Sequence, residues 1–518
     1  MSEEKHEKNH EDKYIFGVHI LESLTLGMYQ DSRTIFREYI QNACDSIDDA
    51  VMSDLIEPDE CIIDIKIDTE RRNITITDNA MGIKATEFQR VMGNIADSDK
   101  RIGEDRGFRG IGRLCGLAYC EKVIFTAKYH GEGIISRLVC NAGILRSLLD
   151  DRNSGVNRYT ASEVLYEVNE FFADSTDETE SHYFKVELIN INPENTSLLD
   201  YEKVKNYLSL TAPLPYSLTF QPFSSDICKY AIKINHSIDE YNIFLNDDQL
   251  FKEYTTGFKT GRGNSKGYDE IFDIKFEEFR DINNNLIAWL WFGISKFKGA
   301  IEEKCLMRGI RMRKGNIQIG DENTLRRFFT ESRGNSYFIG ELFCISNELI
   351  PNSQRDYFSE TPLRVELEKQ IRNYFRELTK HYHDGSAINS AYTKCESAEK
   401  KRAELNERIN CGKISDIEER KHAREELRAA EEEFVSARRE LDKFSLSGSS
   451  IAKSIIERIE KHKTEKTSLT ITQLPASVIP KYTQRESRLI RKIFDVIRSS
   501  LNKGTADMLI MKIEDSLK

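Results

Sequence analysis

The stretch 37–45, REYIQNACD, constrains this chain more than any other. Ile35, Tyr39, Ile40, Ala43 and Ile47 recur at helical spacing and make one apolar stripe. On that helix Glu38, Asn42 and Asp45 stand at i, i+4 and i+7, along a single face. Taken alone, an acid, an amide and an acid in a row are the solvated side of an amphipathic helix. Beside phosphates they can do more. A carboxylate and an amide one turn apart can share a hydrated magnesium ion and a water, because magnesium takes few protein oxygens and keeps waters and phosphate oxygens.

Two later stretches decide between these readings. CIIDIKI (61–67) and NITITD (73–78) alternate apolar and polar residues and predict a strand pair joined by a short charged turn. Asp78 ends the second strand, and Gly82 follows four residues on. A carboxylate there can accept a hydrogen bond from an exocyclic amine such as that of adenine, and the glycine lets a ligand approach the backbone. The third stretch is GFRGIGRLCG, with Gly107, Gly110, Gly112 and Gly116 leading into a helical run. Exposed backbone N–H groups at a helix start form an anion site suited to phosphates. A dinucleotide fingerprint would put such glycines after the first strand and an acid about 20 residues later. Here they come third, after an acidic helix and a strand-end aspartate, and no Walker-type lysine follows.

The ordered series Arg37, Glu38, Asn42 and Asp45, then Asp78 and Gly82, then Gly107, Gly110, Ile111 and Gly112, resembles the motif series of the GHKL ATPase superfamily. Within it the chain resembles the 90-kilodalton heat-shock chaperone branch: GMYQDSRTIFREYIQNACDSID reads like that branch's first block, and MGNIADSDK (92–100) like its lid entry. The resemblance implies an α+β Bergerat fold, a mixed or antiparallel sheet with helices on one face. It implies ATP and Mg2+ as ligands. Glu38 would be the general base, held by Arg37 between turnovers. Asn42 would coordinate magnesium, with Asp45 on the same face. Asp78 would read the adenine amine, with Gly82 giving the base room. Gly107, Gly110, Ile111 and Gly112 would wrap the phosphates, with Ser98 and Lys100 as lid candidates. One residue departs from the pattern: Ala80 stands where the family carries glycine, so a methyl is expected to narrow the pocket or tilt the loop. The family's threonine at the adenine end has no clean match within 180–192.

These features place an ATP-binding domain at 14–195, behind a polar tail at 1–13. A middle, transducer-like α/β domain is expected over 200–385. LIAWLWFGISKF (286–297) predicts a core strand. The cluster Arg308, Arg311, Arg313 and Lys314 predicts a solvated hairpin, or a basic surface for phosphates. IPNSQRDYF (350–358) resembles the catalytic loop of the chaperone middle domain, which makes Arg355 the γ-phosphate sensor and gives Asn352 and Gln354 the shaping of the loop. Residues 386–446 predict a helical hairpin or coiled coil. Ala423, Leu427, Ala430, Phe434, Ala437, Leu441 and Phe444 step by four and three, an a/d seam. Residues 447–518 are expected to form a helical dimerisation and partner module.

The resulting expectation is a Mg2+-dependent, ATP-hydrolysing, homodimeric clamp acting on a protein client in the cytoplasm. The alternative is a DNA-acting clamp of the mismatch-repair or microrchidia type, for instance in anti-phage defence. A net charge of −11 argues against a general nucleic-acid coat. No CxxC pair occurs among the scattered cysteines, so no zinc site is expected. Neither a signal sequence nor a run of about 18 apolar residues is found, so no membrane role is expected.

Overall fold

Alternating apolar residues build the first sheet. The computed structural model describes residues 16–25, 27, 31–95, 110–149, 159–261, 267–410, 417–446 and 449–469, with isolated positions between 490 and 513. From the N-terminus, α1 (His19–Thr25) and α2 (Thr34–Met52) precede β1 (Ile62–Asp68), β2 (Asn73–Asp78) and α3 (Ala85–Gly93). Then come β3 (Cys120–Lys128), β4 (Ile134–Asn141), α4 (Ala142–Leu149), α5 (Ala161–Val168), β5 (Asn169–Ser175) and β6 (Tyr183–Ile191). After α6 (Tyr201–Thr211) and α7 (Gln221–Lys233), β7 (Asn242–Leu245) and β8 (Asp248–Gln249) return to the same sheet. Its order is β5-β4-β3-β6-β2-β1-β7-β8, antiparallel except where β7 runs parallel to β1. Ile63, Ile65, Ile74 and Ile76 are buried on one face, as the period of two requires.

The sheet therefore runs past the expected domain limit at 195. A parallel strand needs a long crossover, and α6 and α7 supply it. Two hydrogen bonds lock the return: Ile67 N–H to Asn246 Oδ1 at 2.7 Å, and Tyr241 hydroxyl to Asp48 Oδ1 at 2.6 Å.

A short pair, β9 (Gly257–Thr260) with β10 (Gly267–Glu270), leads into the second sheet. This holds β11 (Asp273–Arg280), β12 (Leu286–Ile294), β13 (Gly309–Lys314), β14 (Ile317–Ile319) and β15 (Ile339–Cys344), in the order β11-β12-β15-β13-β14. Every β12 residue after Leu286 is buried, because both faces are covered. On one face Trp289 packs against Tyr230 of α7 and stacks on Phe343. On the other, Phe292 meets Tyr374 of α8 (Pro362–Asn410). The strand stops at Ile294, short of the expected 297, and Phe297 turns into the left-handed region with φ +52°.

The basic stretch 308–314 lies mostly inside this sheet. Arg311 and Arg313 are buried. Arg311 donates to Gln318 Oε1 at 2.7 Å, and Arg313 donates to Glu341 and to the Leu210 carbonyl. Lys314 donates to the Ser346 carbonyl at 2.7 Å, and Arg308 lies 3.9 Å from Glu303. Strand alternation turns Arg311 and Arg313 inward together, so neither a solvated hairpin nor a basic surface forms at these two residues.

Helix α8 begins well before the expected 386, because Leu367, Ile371, Phe375, Leu378 and Tyr382 make a buried stripe. Farther on it packs against α9 (Ile417–Leu446). Ala423, Ala430, Ala437 and Leu441 of the seam are buried, and Leu405 of α8 clusters with Ala423 and Leu427. Residues 447–518 form a second compact unit. It contains α10 (Ser450–Leu469), capped by Ser449 Oγ accepting from Ala452 N–H, and a cluster of Phe494 and Ile510. Among the described residues no helix is long and apolar enough to cross a membrane.

Candidate functional site

Helix α2 sets the site. Its apolar stripe, including Ile35, Tyr39, Ile40, Ala43 and Ile47, is buried, and this fixes the direction of the remaining face. Glu38 and Asp45 on that face are each 5 % exposed, and Asn42 is half-buried. A buried carboxylate is costly without partners. Glu38 has two: Arg37 Nη2 at 3.3 Å and Arg355 Nε at 3.4 Å, both on Oε1.

Arg355 arrives from a tight loop after β15. Pro351 and Phe358 bridge across it, and Asn352 N–H donates to the Tyr357 carbonyl at 2.9 Å. Gly320 N–H holds the Arg355 carbonyl at 2.9 Å. Arg355 itself takes φ +54°, a conformation that costs a non-glycine residue on the order of 1 kcal/mol and persists only when its surroundings enforce it. Arg37 also donates to the Gln354 carbonyl at 3.2 Å, so the helix and the loop are tied twice. The side-chain amide of Asn352 donates to Asp356 Oδ1 across the same loop.

The glycine turn lies against the other carboxylate oxygen. A methyl on Gly112 would stand 2.7 Å from Glu38 Oε2. Gly110 has φ +66°, and a 3-10 turn runs over Gly112–Ala118. Tyr39 braces this turn from below: its hydroxyl donates to the Arg113 carbonyl at 3.1 Å and accepts from Gly116 N–H at 3.2 Å. Burial pushes the Tyr39 hydroxyl well above the ordinary tyrosine range, so it stays protonated. Arg113 carries the brace on to α3 through the Val91 carbonyl at 2.8 Å. Ile111 is buried between the two glycines.

Asp78 closes β2, in register with Ile63 on one side and Phe184 on the other. Its Oδ1 accepts from Ala80 N–H at 3.2 Å. Ala80 is fully buried and belongs to the apolar core of the first sheet. Gly82 has φ +73°, and a methyl there would fall 2.1 Å from the Lys128 carbonyl. Only glycine can pass there.

The structure thus brings Arg37, Gly112 and Arg355 to the Glu38 carboxylate, with Gly110 and Ile111 leading into Gly112, Asn42 and Asp45 along the same helix, and Asp78 and Gly82 on the strand-end loop. Ser98, Lys100 and Gly107 lie outside the described residues. Sequence reasoning missed the Tyr39 brace and the Arg37–Gln354 tie. Tyr39 read only as an apolar helix position, and the tie is made to a backbone carbonyl that no sequence displays.

The first domain is also similar in sequence to known proteins. Residues 31–158 match the family described as histidine kinase-, DNA gyrase B-, and HSP90-like ATPase. The chaperone protein HtpG of Fusobacterium nucleatum subsp. nucleatum is 25 % identical over 283 residues, an alignment that takes in 48 % of this chain. The chain spans 46 % of that relative's length. Residues 31–158 are therefore a domain of the GHKL ATPase type, in a chain that resembles the HSP90-like chaperones.

Proposed function

We propose that the protein binds and hydrolyses ATP with magnesium and works as a homodimeric clamp on a protein client. The contact between Arg355 and Glu38 carries this reading. The Glu38 carboxylate and a second-sheet arginine lie together beside a glycine turn, an arrangement that suits a base and a charge stabiliser for hydrolysis of a terminal phosphate.

In this reading Asp78 accepts the adenine amine, and the backbone of Gly110–Gly112 faces the phosphates. Glu38 takes a proton from the attacking water. The water oxygen bonds to the γ-phosphorus, and the bond to the β–γ bridging oxygen breaks. Arg355 stabilises the negative charge that develops on the phosphoryl oxygens. Arg37 keeps a hydrogen bond on Glu38 and holds its rotamer. The half-buried Asn42 amide, with Asp45 on the same helix, fits the few protein oxygens that magnesium takes. Magnesium bound there would neutralise phosphate charge.

The test is steady-state ATP hydrolysis by the full chain, with Glu38→Ala as the control. Turnover that disappears in this variant while ADP still binds supports the reading, and turnover that survives overturns it. The DNA-clamp alternative has less support, since Arg311 and Arg313 of its basic patch are buried in internal hydrogen bonds.

A further inference from the structure

The loop that carries Asp78 is held at both ends of one residue. Ala80 N–H donates to Asp78 Oδ1 at 3.2 Å, and the Ala80 carbonyl lies 2.9 Å from His182 Nδ1. The second contact continues the sheet. The β2–β6 ladder pairs Ile74 with Leu188, Ile76 with Val186 and Asp78 with Phe184. The next pair in that register is Ala80 with His182. Backbone pairing ends at Asp78, and one step beyond it an imidazole ring takes over.

A carbonyl oxygen only accepts, so Nδ1 of His182 carries the hydrogen of this contact. The ring is half-buried and is packed edge-on by His130, with centroids 5.6 Å apart. His130 follows β3, and the same strand end supplies the Lys128 carbonyl over which Gly82 passes. A methyl built on Gly82 would also stand 3.2 Å from the Tyr183 carbonyl. The segment from Asp78 to Gly82 is therefore seated on the ends of β3 and β6, and His182 is its polar fastening.

We propose that His182 is a positioning residue for base recognition: it holds the Ala80 carbonyl so that the Asp78 carboxylate keeps the orientation that selects an adenine base. This rests on the reading of Asp78 as the adenine acceptor. Phosphate handling at Glu38 and Gly112 does not pass through His182, so the effect falls on nucleotide selection and not on the chemical step.

The experiment is calorimetric titration of the full chain with ADP and with GDP, alongside ATP turnover at saturation. His182→Ala is expected to weaken ADP binding about tenfold, the scale of one lost hydrogen bond. It is also expected to narrow the ADP over GDP preference and to leave kcat within about twofold. His182→Asn, whose amide can donate from nearly the same place, is expected to restore most of the preference. Unchanged ADP affinity and preference in a folded His182→Ala protein would overturn the proposal. Equal loss in both variants, with lowered melting temperatures, would also overturn it and reduce His182 to a fold contact. Asp78→Asn separates the two levels: if that variant binds ADP as tightly as the parent, the adenine reading itself fails, whatever His182 does.

Discussion

Arg355 Nε lies 3.4 Å from Glu38 Oε1, so the arginine of the second sheet is already in contact with the proposed base of the first. Arg37 shares the same carboxylate oxygen at 3.3 Å. Two guanidinium groups on one carboxylate hold it firmly, and a terminal phosphate offers Arg355 a second anion to bind.

Arg355→Ala is expected to lower turnover by about 10³-fold or more, the scale of a lost arginine finger, while ADP binding changes little. Arg355→Lys should recover only a small part, because an ammonium cannot reproduce the planar fork. Single-turnover hydrolysis measures both. A loss of only two- or three-fold would return Arg355 to a structural role.

Gly112→Ala puts a methyl 2.7 Å from Glu38 Oε2, so the carboxylate or the turn must shift. A displaced base is expected to lower kcat by about 10²-fold, since positioning errors near 1 Å cost that much. Gly82→Ala differs: its methyl meets backbone, and φ +73° disfavours any side chain. That variant should lose nucleotide binding and melt earlier, by several degrees in a thermal scan.

Glu341 is completely buried and accepts hydrogen bonds from Lys252 at 3.1 Å, Tyr254 at 3.1 Å and Trp291 at 3.3 Å, and from Arg313 and Tyr216. Burial alone would raise its carboxyl pKa, but Arg313 and Lys252 outweigh burial and hold it down at about 2. Between the ordinary value of 4.5 and about 2 the unfolded chain binds the extra proton. The stability this group contributes is therefore full above pH 4.5 and lost as pH falls towards 2. Glu341→Gln should flatten that acid limb in melting curves. It should also cost roughly 3–5 kcal/mol at neutral pH, because two cations lose their buried partner.

Gln41, on α2 one turn beyond Glu38, is 1 % exposed, and neither amide atom has a hydrogen-bond partner among the described residues. Gln41→Met keeps the length of the side chain and removes two buried polar atoms. Its unfolding free energy should rise, by up to ~1 kcal/mol. A marked fall in turnover with stability unchanged would instead make Gln41 part of the reacting site.

The first sheet was legible where period and punctuation agree. NITITD gave β2 to the residue, and the stripe from Ile35 to Ile47 gave α2, though not its extension to Met52. The return of β7 was not legible. Asn242–Leu245 is four residues long and finds its place only through parallel pairing with β1. The burial of Arg311 and Arg313 was hidden for a related reason. Four basic residues within seven positions read as surface charge until the distant Glu341, itself held by two tyrosines and a tryptophan, is folded against one of them. Glu38, Asp78 and the glycines were recognisable because each needs a particular residue type. His182 was not, since its role depends on lying across the ladder from Ala80.

The passage from β8 to the buried Lys252 bears on how such a machine can move. Leu250 is sealed in the core of the first sheet, and Lys252, two residues later, is fastened to Glu341 and Asn316 beneath the second. A strap that short leaves almost no slack, and the Arg37–Gln354 tie closes the same gap from the other side. Three glycines inserted after residue 251 should therefore slow turnover while leaving ADP affinity intact, a split that equilibrium titration and steady-state rates would resolve. On the proposed function, the two sheets would then move as one jaw, with Arg355 carried as a fixed tooth beside Glu38.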